Sequence, residues 1–142
     1  MPTYDLDATR TALKTLLETI TEIAFVYDRR NPNLEGYPAI VFDIVSNENE
    51  MLTNVENLRT IMFSIWIIQE INVIGMDQAN EILDIATQKV VNVLEDIDNI
   101  SLSGNVDWMR PISGPREEAQ SPKGSVMWQR IDLDMRVASS VL

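Results

Sequence analysis

The chain has 142 residues, 45% of them hydrophobic, and its 22 acidic residues against 11 basic ones give a formal net charge of −11. This length fits a single domain, residues 1–142, around one core. Because it contains no cysteine or histidine, the chain cannot build a typical zinc site, a Cys nucleophile or a His general base. The charge argues against broad affinity for nucleic acid or for anionic membranes, since both require clustered Lys and Arg.

The chain is predicted to begin with a helix over residues 5–21. Asp5 or Asp7 can cap its start, where free backbone N–H groups favour a carboxylate. One stripe of the helix recurs at steps of three and four residues. Its members are Leu6, Arg10, Leu13, Leu16, Leu17 and Ile20.

Three strands are predicted to follow this helix. A short strand over residues 23–27 leads into a loop over 28–36, which is rich in turn-forming residues. A second strand covers 39–46, and the polar stretch 47–50 is expected to connect it to a third. The third and longest strand covers 56–69, where bulky apolar residues alternate with other side chains.

A second helix is predicted over residues 77–96, and two further strands after it. Strands are expected over 106–111 and 125–138, separated by a segment, 113–124, that has no apolar periodicity and is predicted to be a mobile, protease-sensitive loop. The order is αβββαββ, an α/β (α+β) fold with two helices on a mixed or antiparallel sheet. The apolar stripe of the second helix comprises Ala79, Ile82, Leu83, Ala86, Val90, Val93, Leu94 and Ile97.

Asp132 and Asp134 are the strongest candidates for chemistry, because alternate residues of a strand project from one face. Such a pair could hold Mg²⁺ or divide acid and base roles. Arg130 and Arg136 flank them on the same face, however, and are expected to neutralise them as ion pairs. The chain has no GxSxG, GxGxxG or GxxxxGK[ST] motif, so we expect no catalytic residue, no cofactor and no metal site.

The segment from Glu70 to Asp107 concentrates negative charge, with eight acids against one base, Lys89. These acids could be the solvated face of the second helix. They could also form an acidic surface, or line a channel, that repels a polyanion. The acidic residues are Glu70, Asp77, Glu81, Asp84, Glu95, Asp96, Asp98 and Asp107.

Several bulky apolar residues are predicted to lie on the sheet face opposite Ile61, Phe63 and Ile65. If both helices cover a single face, these residues are left as an apolar patch of the kind found at protein interfaces. If one helix covers each face, they are simply core residues, and the sequence leaves both arrangements open. The candidate interface residues are Met62, Trp66, Ile68 and Trp128.

The order and spacing of these elements resemble the tail-terminator (tail-completion) proteins of long-tailed bacteriophages. The resemblance spans nearly the whole chain. It is carried by the segment Gly36-Tyr37-Pro38-Ala39-Ile40-Val41 that opens the second strand, by the long 59–69 strand before the single large helix, and by Val106-Asp107-Trp108 with Pro111 before the final strand.

The resemblance implies a structural protein of the virion rather than an enzyme. Six copies would form a ring on the end of the tail tube, stop tube polymerisation and present their other side to the head-tail connector or stopper protein. The genome would pass through the hole without specific binding. The implied partners are further copies of the chain, the tail tube protein and the connector. The implied location is the tail or neck of the virion, and the host cytoplasm during assembly.

Two other classes remain open. The first is another neck or minor tail component, for example of the head-completion type, which would share the acidity but differ in oligomeric state. The second is a metal-dependent hydrolase that uses Asp132, Asp134 and one further acid. No apolar run approaches the ~20 residues that span a bilayer, and the acidic, polar first ten residues do not resemble a secretory signal.

Overall fold

The computed structural model describes residues 5–30, 33–51, 56–121 and 124–140. Within these ranges the elements follow the predicted order αβββαββ, which confirms the predicted fold class. The helices and strands are α1 (Leu6–Glu18), β1 (Phe25–Tyr27), β2 (Ala39–Met51), β3 (Glu56–Glu70), α2 (Met76–Glu95), β4 (Trp108–Ser121) and β5 (Gly124–Ser140).

The strands form one mixed sheet in the order β1-β2-β3-β5-β4. β1 pairs with β2 in parallel, and the remaining neighbours are antiparallel. β3 and β5 form the centre of the sheet, where Phe63 lies opposite Leu133 and Trp66 lies opposite Arg130. β4 forms one edge of the sheet, and the short β1 lies at the other.

Both helices pack on the same face of the sheet. Leu13 and Leu17 of α1, and Leu83 and Val90 of α2, join one buried cluster with Phe63 from the sheet. This arrangement decides between the two that the sequence left open, since no helix in the described parts of the chain lies on the opposite face. Asp5 caps α1 as predicted, because its side chain accepts a hydrogen bond from the backbone N–H of Ala8 at 3.1 Å.

Arg10 is buried in the helical stripe although its side chain is charged. Its guanidinium lies 5.7 Å from the centroid of the Phe63 ring and 3.2 Å from the carboxylate of Asp43. It also donates a hydrogen bond to the backbone carbonyl of Asp28. The charge is therefore paired where α1 meets the edge of β2, as a buried charge requires.

The predicted connection over residues 47–50 is wrong, because β2 continues to Met51 and pairs there with the start of β3. A register shift between Ile44 and Ser46 inserts one extra residue. Backbone pairing does not require apolar side chains where the strand faces solvent, so the polar sequence does not end the strand.

The prediction of a loop over residues 113–124 is also wrong for the residues that the structure describes. β4 runs to Ser121 and pairs with β5 along most of its length. A register shift between Ser113 and Arg116 absorbs Gly114 and Pro115, and bulges accommodate such residues within a strand. Because β4 is an edge strand, its side chains need no apolar alternation.

One member of the predicted stripe of α2 lies outside the core. Ile97 is 81% exposed, because the helix ends at Glu95 and Asp96 turns the chain into an extended conformation. Ala79, Leu83 and Leu94 are fully buried, as the periodicity predicted.

Candidate functional site

The sheet face opposite the helices is the largest feature of the fold without a covering layer, and we call it the open face. Strand alternation and register place its side chains together across β3, β5 and β4. The open face comprises Met62, Ser64, Trp66 and Ile68 of β3, Trp128, Arg130, Asp132, Asp134 and Arg136 of β5, and Trp108, Arg110 and Ile112 of β4.

The structure brings three of the four predicted interface residues together. Ile68 lies directly opposite Trp128, and Trp66 occupies the next position on the same face of β3. Met62 lies farther along β3, opposite Asp134 and beyond Ser64. All four are partly exposed, so their apolar surface is only partly withdrawn from water.

The connection between β1 and β2 covers one side of the open face. Leu34, Ala39 and Val41 form a second buried cluster, with Tyr37 and Ile68 packed against it. Because the connection lies beside Ile68, it shields the β2 side of the open face and leaves the β5 and β4 side uncovered.

Arginine side chains contact two of the tryptophans on this face. The guanidinium of Arg30 lies 5.4 Å from the centroid of the Trp66 ring, and that of Arg136 lies 5.5 Å from the centroid of Trp108. Such cation–π contacts stabilise the position of a ring by about 0.5–1 kcal/mol at exposed sites. Trp and Arg are also the residue types that dominate binding energy at protein interfaces.

The Asp132 and Asp134 carboxylates are paired with the flanking arginines, as predicted. Arg130 Nε lies 2.8 Å from Asp132 Oδ1, which also accepts a 2.8 Å hydrogen bond from the hydroxyl of Ser64. Arg136 Nε lies 3.5 Å from Asp134 Oδ1. No group of three or more acidic side chains suited to a metal ion occurs in the described parts of the chain. The arrangement therefore supports a neutralised surface rather than a reactive pair of carboxylates.

The sequence did not predict that Trp108 and Ile112 belong to this surface. In the structure their side chains are 37% and 39% exposed. Both lie on β4, with the exposed side chain of Arg110 between them. The predicted strand over residues 106–111 contained the signal for Trp108. The sequence did not show that β4 pairs with β5, and this pairing places Trp108 opposite Arg136 on the open face.

The predicted acidic residues do not form a single cluster. Four lie along α2, whose 20 residues span about 30 Å, and the others flank it or end the neighbouring strands. Asp84 pairs with Arg116 at 2.7 Å, and the Asp107 carboxylate accepts a 2.8 Å hydrogen bond from the backbone N–H of Ala138. All except the partly buried Glu70 are exposed, so the helical side of the molecule carries most of this charge.

None of the described helices has the length and apolarity needed to cross a bilayer. A scan against protein-family models found no family that matches this chain, and a search of curated proteins found no significant match.

Proposed function

We propose that this protein is a structural component of a bacteriophage tail that closes the end of the tail tube as a hexameric ring. In this role it ends tube polymerisation and joins the tail to the head connector. The observation that carries the proposal is the open face, a tryptophan-bearing surface on a sheet whose other face packs against both helices. The specific role, closing the tail tube and joining it to the head, is proposed from the resemblance of the element order and spacing to tail-terminator proteins.

A closed ring needs two different surfaces of each subunit to meet, because cyclic symmetry above two-fold is built from heterologous contacts. A stable contact also buries about 800 Å² per partner. The open face offers apolar rings, and its carboxylates Asp132 and Asp134 are already paired with arginines, so their burial leaves no carboxylate unpaired. Met62, Trp66, Ile68 and Trp128 are the residues we assign to this contact.

The net charge of −11 suits a ring through which DNA passes. Lys and Arg along a channel would bind the phosphate backbone through counterion release, whereas acidic side chains repel it. Repetition of the exposed acids of α2 and its flanks around a ring would sum their fields. We therefore assign the acidic residues from Glu70 to Asp107 to the negative field of the ring.

In this proposal the partners are further copies of the chain, the tail tube protein and the head-tail connector or stopper protein. DNA passes through without specific binding, and no metal or cofactor is needed. The protein acts in the tail or neck of the virion, after assembly in the host cytoplasm.

The direct test is the oligomeric state of the purified protein, by size-exclusion chromatography with light scattering and by negative-stain imaging. We expect rings of six subunits. A monomer would contradict the proposal, and a twelve-fold ring would favour a different neck component.

The biological test is deletion of the gene from a phage that encodes this chain. We expect tails of uncontrolled length, or tails that fail to join heads, because nothing would stop the tube or contact the connector. Tails of normal length that join heads normally would contradict the proposal.

A further inference from the structure

A heterologous ring contact requires a second surface on the same subunit, which the open face of its neighbour can meet. The sheet edges are the first candidates. β1 covers the edge of β2 only from Ala39 to Val41, and β4 has no outer partner among the described strands.

Both edges carry features that discourage pairing with another strand. β2 has a register shift beside Ile44 and the exposed charge of Glu48 beyond it. β4 contains Pro111 and Pro115, which lack a backbone N–H, and a register shift of its own. Natural proteins use such bulges, prolines and charges to prevent edge-to-edge association. The sheet edges are therefore poor candidates for the second surface of the ring contact.

The turn after α2 is a better candidate for the second surface of the ring contact. We call residues 96–100 the isoleucine turn, because its two isoleucines, Ile97 and Ile100, are 81% and 36% exposed. Scattered single exposed apolar residues need no explanation, but here two lie within four residues, and Ile97 lies between Asp96 and Asp98.

Hydrogen bonds within the isoleucine turn and to the end of α2 stabilise its conformation. The Asp96 carboxylate accepts a 2.9 Å bond from the backbone N–H of Asp98, and the side-chain amide of Asn99 donates a 3.0 Å bond to the carbonyl of Val93. Leu102, just after the turn, is anchored in the core. A preorganised turn loses little conformational entropy on binding, so it can present Ile97 to a partner at low cost.

The isoleucine turn and the β4 part of the open face carry complementary charge. Among the described residues, no cation forms an ion pair with Asp96 or Asp98, and no anion forms one with the exposed Arg110. Arg110 lies between the exposed side chains of Trp108 and Ile112. One surface thus joins isoleucines to carboxylates without a cationic partner, and the other joins apolar side chains to a guanidinium without an anionic partner.

The two surfaces also lie toward the same end of the molecule. Arg116, eight residues further along β4, contacts Asn80 and Asp84 in the first half of α2, whereas Glu95 ends the helix and Trp108 starts the strand. The isoleucine turn belongs to the helical side, whereas Trp108 lies on the open face. Because the two surfaces lie on opposite sides of the sheet, a head-to-tail contact repeated around a ring can bring the isoleucine turn of one copy to Trp108 of the next.

We propose that the isoleucine turn of one copy docks against Trp108, Arg110 and Ile112 on the open face of the next copy. This inference rests on the proposed ring and names its second surface. The contact is head to tail, so each subunit uses its turn toward one neighbour and its open face toward the other. Asp96 and Asp98 then face Arg110, and the other six acids remain for the field around the DNA.

The test uses full-length chains that each carry one damaged surface. Ile97→Asp damages the turn, Trp108→Glu damages the open face, and Val73→Asp is the matched control because Val73 is 86% exposed in the other turn beside α2. Light scattering should give monomers for the first two variants and the wild-type ring for the control. An equimolar mixture of Ile97→Asp and Trp108→Glu should give one-to-one heterodimers, since that pair retains a single intact contact.

The outcomes distinguish failure of the docking inference from failure of the proposed ring. A monomeric wild-type chain contradicts the ring, whereas a wild-type ring that survives Ile97→Asp overturns only the docking of the turn. Two monomeric variants that do not combine would show that the turn meets a different surface, which also overturns the inference. Circular dichroism checks folding, and Ile100→Asp with Ile112→Glu replaces any variant that fails to fold.

Discussion

Phe63 and Leu133 meet at the centre of the sheet as a directly opposed pair, and both are fully buried. The ring of Phe42 packs edge-on against Phe63 at 5.9 Å between centroids, so truncation of Phe63 would leave a cavity between packed rings. We expect Phe63→Ala or Leu133→Ala to lower the free energy of unfolding by about 2–5 kcal/mol, measured by urea denaturation.

The control for this prediction is Ile85→Ala, because Ile85 lies on α2 and is 48% exposed. Its effect should stay within about 0.5 kcal/mol. A change of less than about half a kcal/mol for either core variant would mean that the main core lies elsewhere.

Asp132 and Asp134 allow a second prediction at the scale of single residues. Because Arg130 and Arg136 already neutralise their carboxylates, Mg²⁺ should not raise the melting temperature. Asp132→Ala and Asp134→Ala should likewise leave any measurable nuclease activity unchanged. Calorimetric titration with Mg²⁺ and a nuclease assay test this, and a magnesium-dependent activity lost in either variant would favour the hydrolase alternative.

At the scale of elements, Arg116 links the edge strand β4 to α2 through hydrogen bonds and an ion pair. Its Nη1 lies 2.7 Å from Asp84 Oδ1 and 3.2 Å from Asn80 Oδ1, and its Nε donates to Gln129 Oε1 at 3.0 Å. Since Asp84 is largely exposed, the ion pair is worth less than a buried one. We expect Arg116→Ala to cost about 1–2 kcal/mol and to speed amide hydrogen exchange over residues 113–121.

The matched control is Lys89→Ala, which removes a contact of 4.0 Å with Glu22 on the helical side. It should change neither the stability nor the exchange of β4 measurably. Exchange over residues 113–121 that is already fast in the wild-type chain would show that Arg116 does not hold this strand.

At the scale of the whole molecule, the open face should matter for assembly more than for folding. Trp66 and Trp128 are only partly buried in the single subunit, so a charged replacement loses little core packing but removes an apolar ring from the proposed contact and puts a charge in its place. We expect Trp66→Glu or Trp128→Glu to abolish the ring while it lowers the melting temperature of the monomer by only a few degrees. Rings of normal size in both variants would exclude this part of the open face from the contact.

The sequence was sufficient to predict the element order, the buried stripes of both helices and the alternation of β5. Each depends on local periodicity, because a helix or strand repeats its facing residues within a few positions. The ion pairs of Asp132 and Asp134 were predictable for the same reason, since their partners lie two residues away along the same strand.

Other features depended on residues far apart in the chain and were decided only by the tertiary structure. Residues 113–121 form a strand because β5 offers them a backbone partner, which their own composition does not reveal. Ile97 lies outside the core because α2 ends two residues before it, although the periodicity continues through it. The sequence placed residues of β3 and β5 on the open face, but only the tertiary structure aligned them with β4, with Ser64 bonded to Asp132 across 68 positions of sequence. Strand pairing and helix coverage are long-range choices, set by which surfaces can be buried together, and no local pattern specifies them.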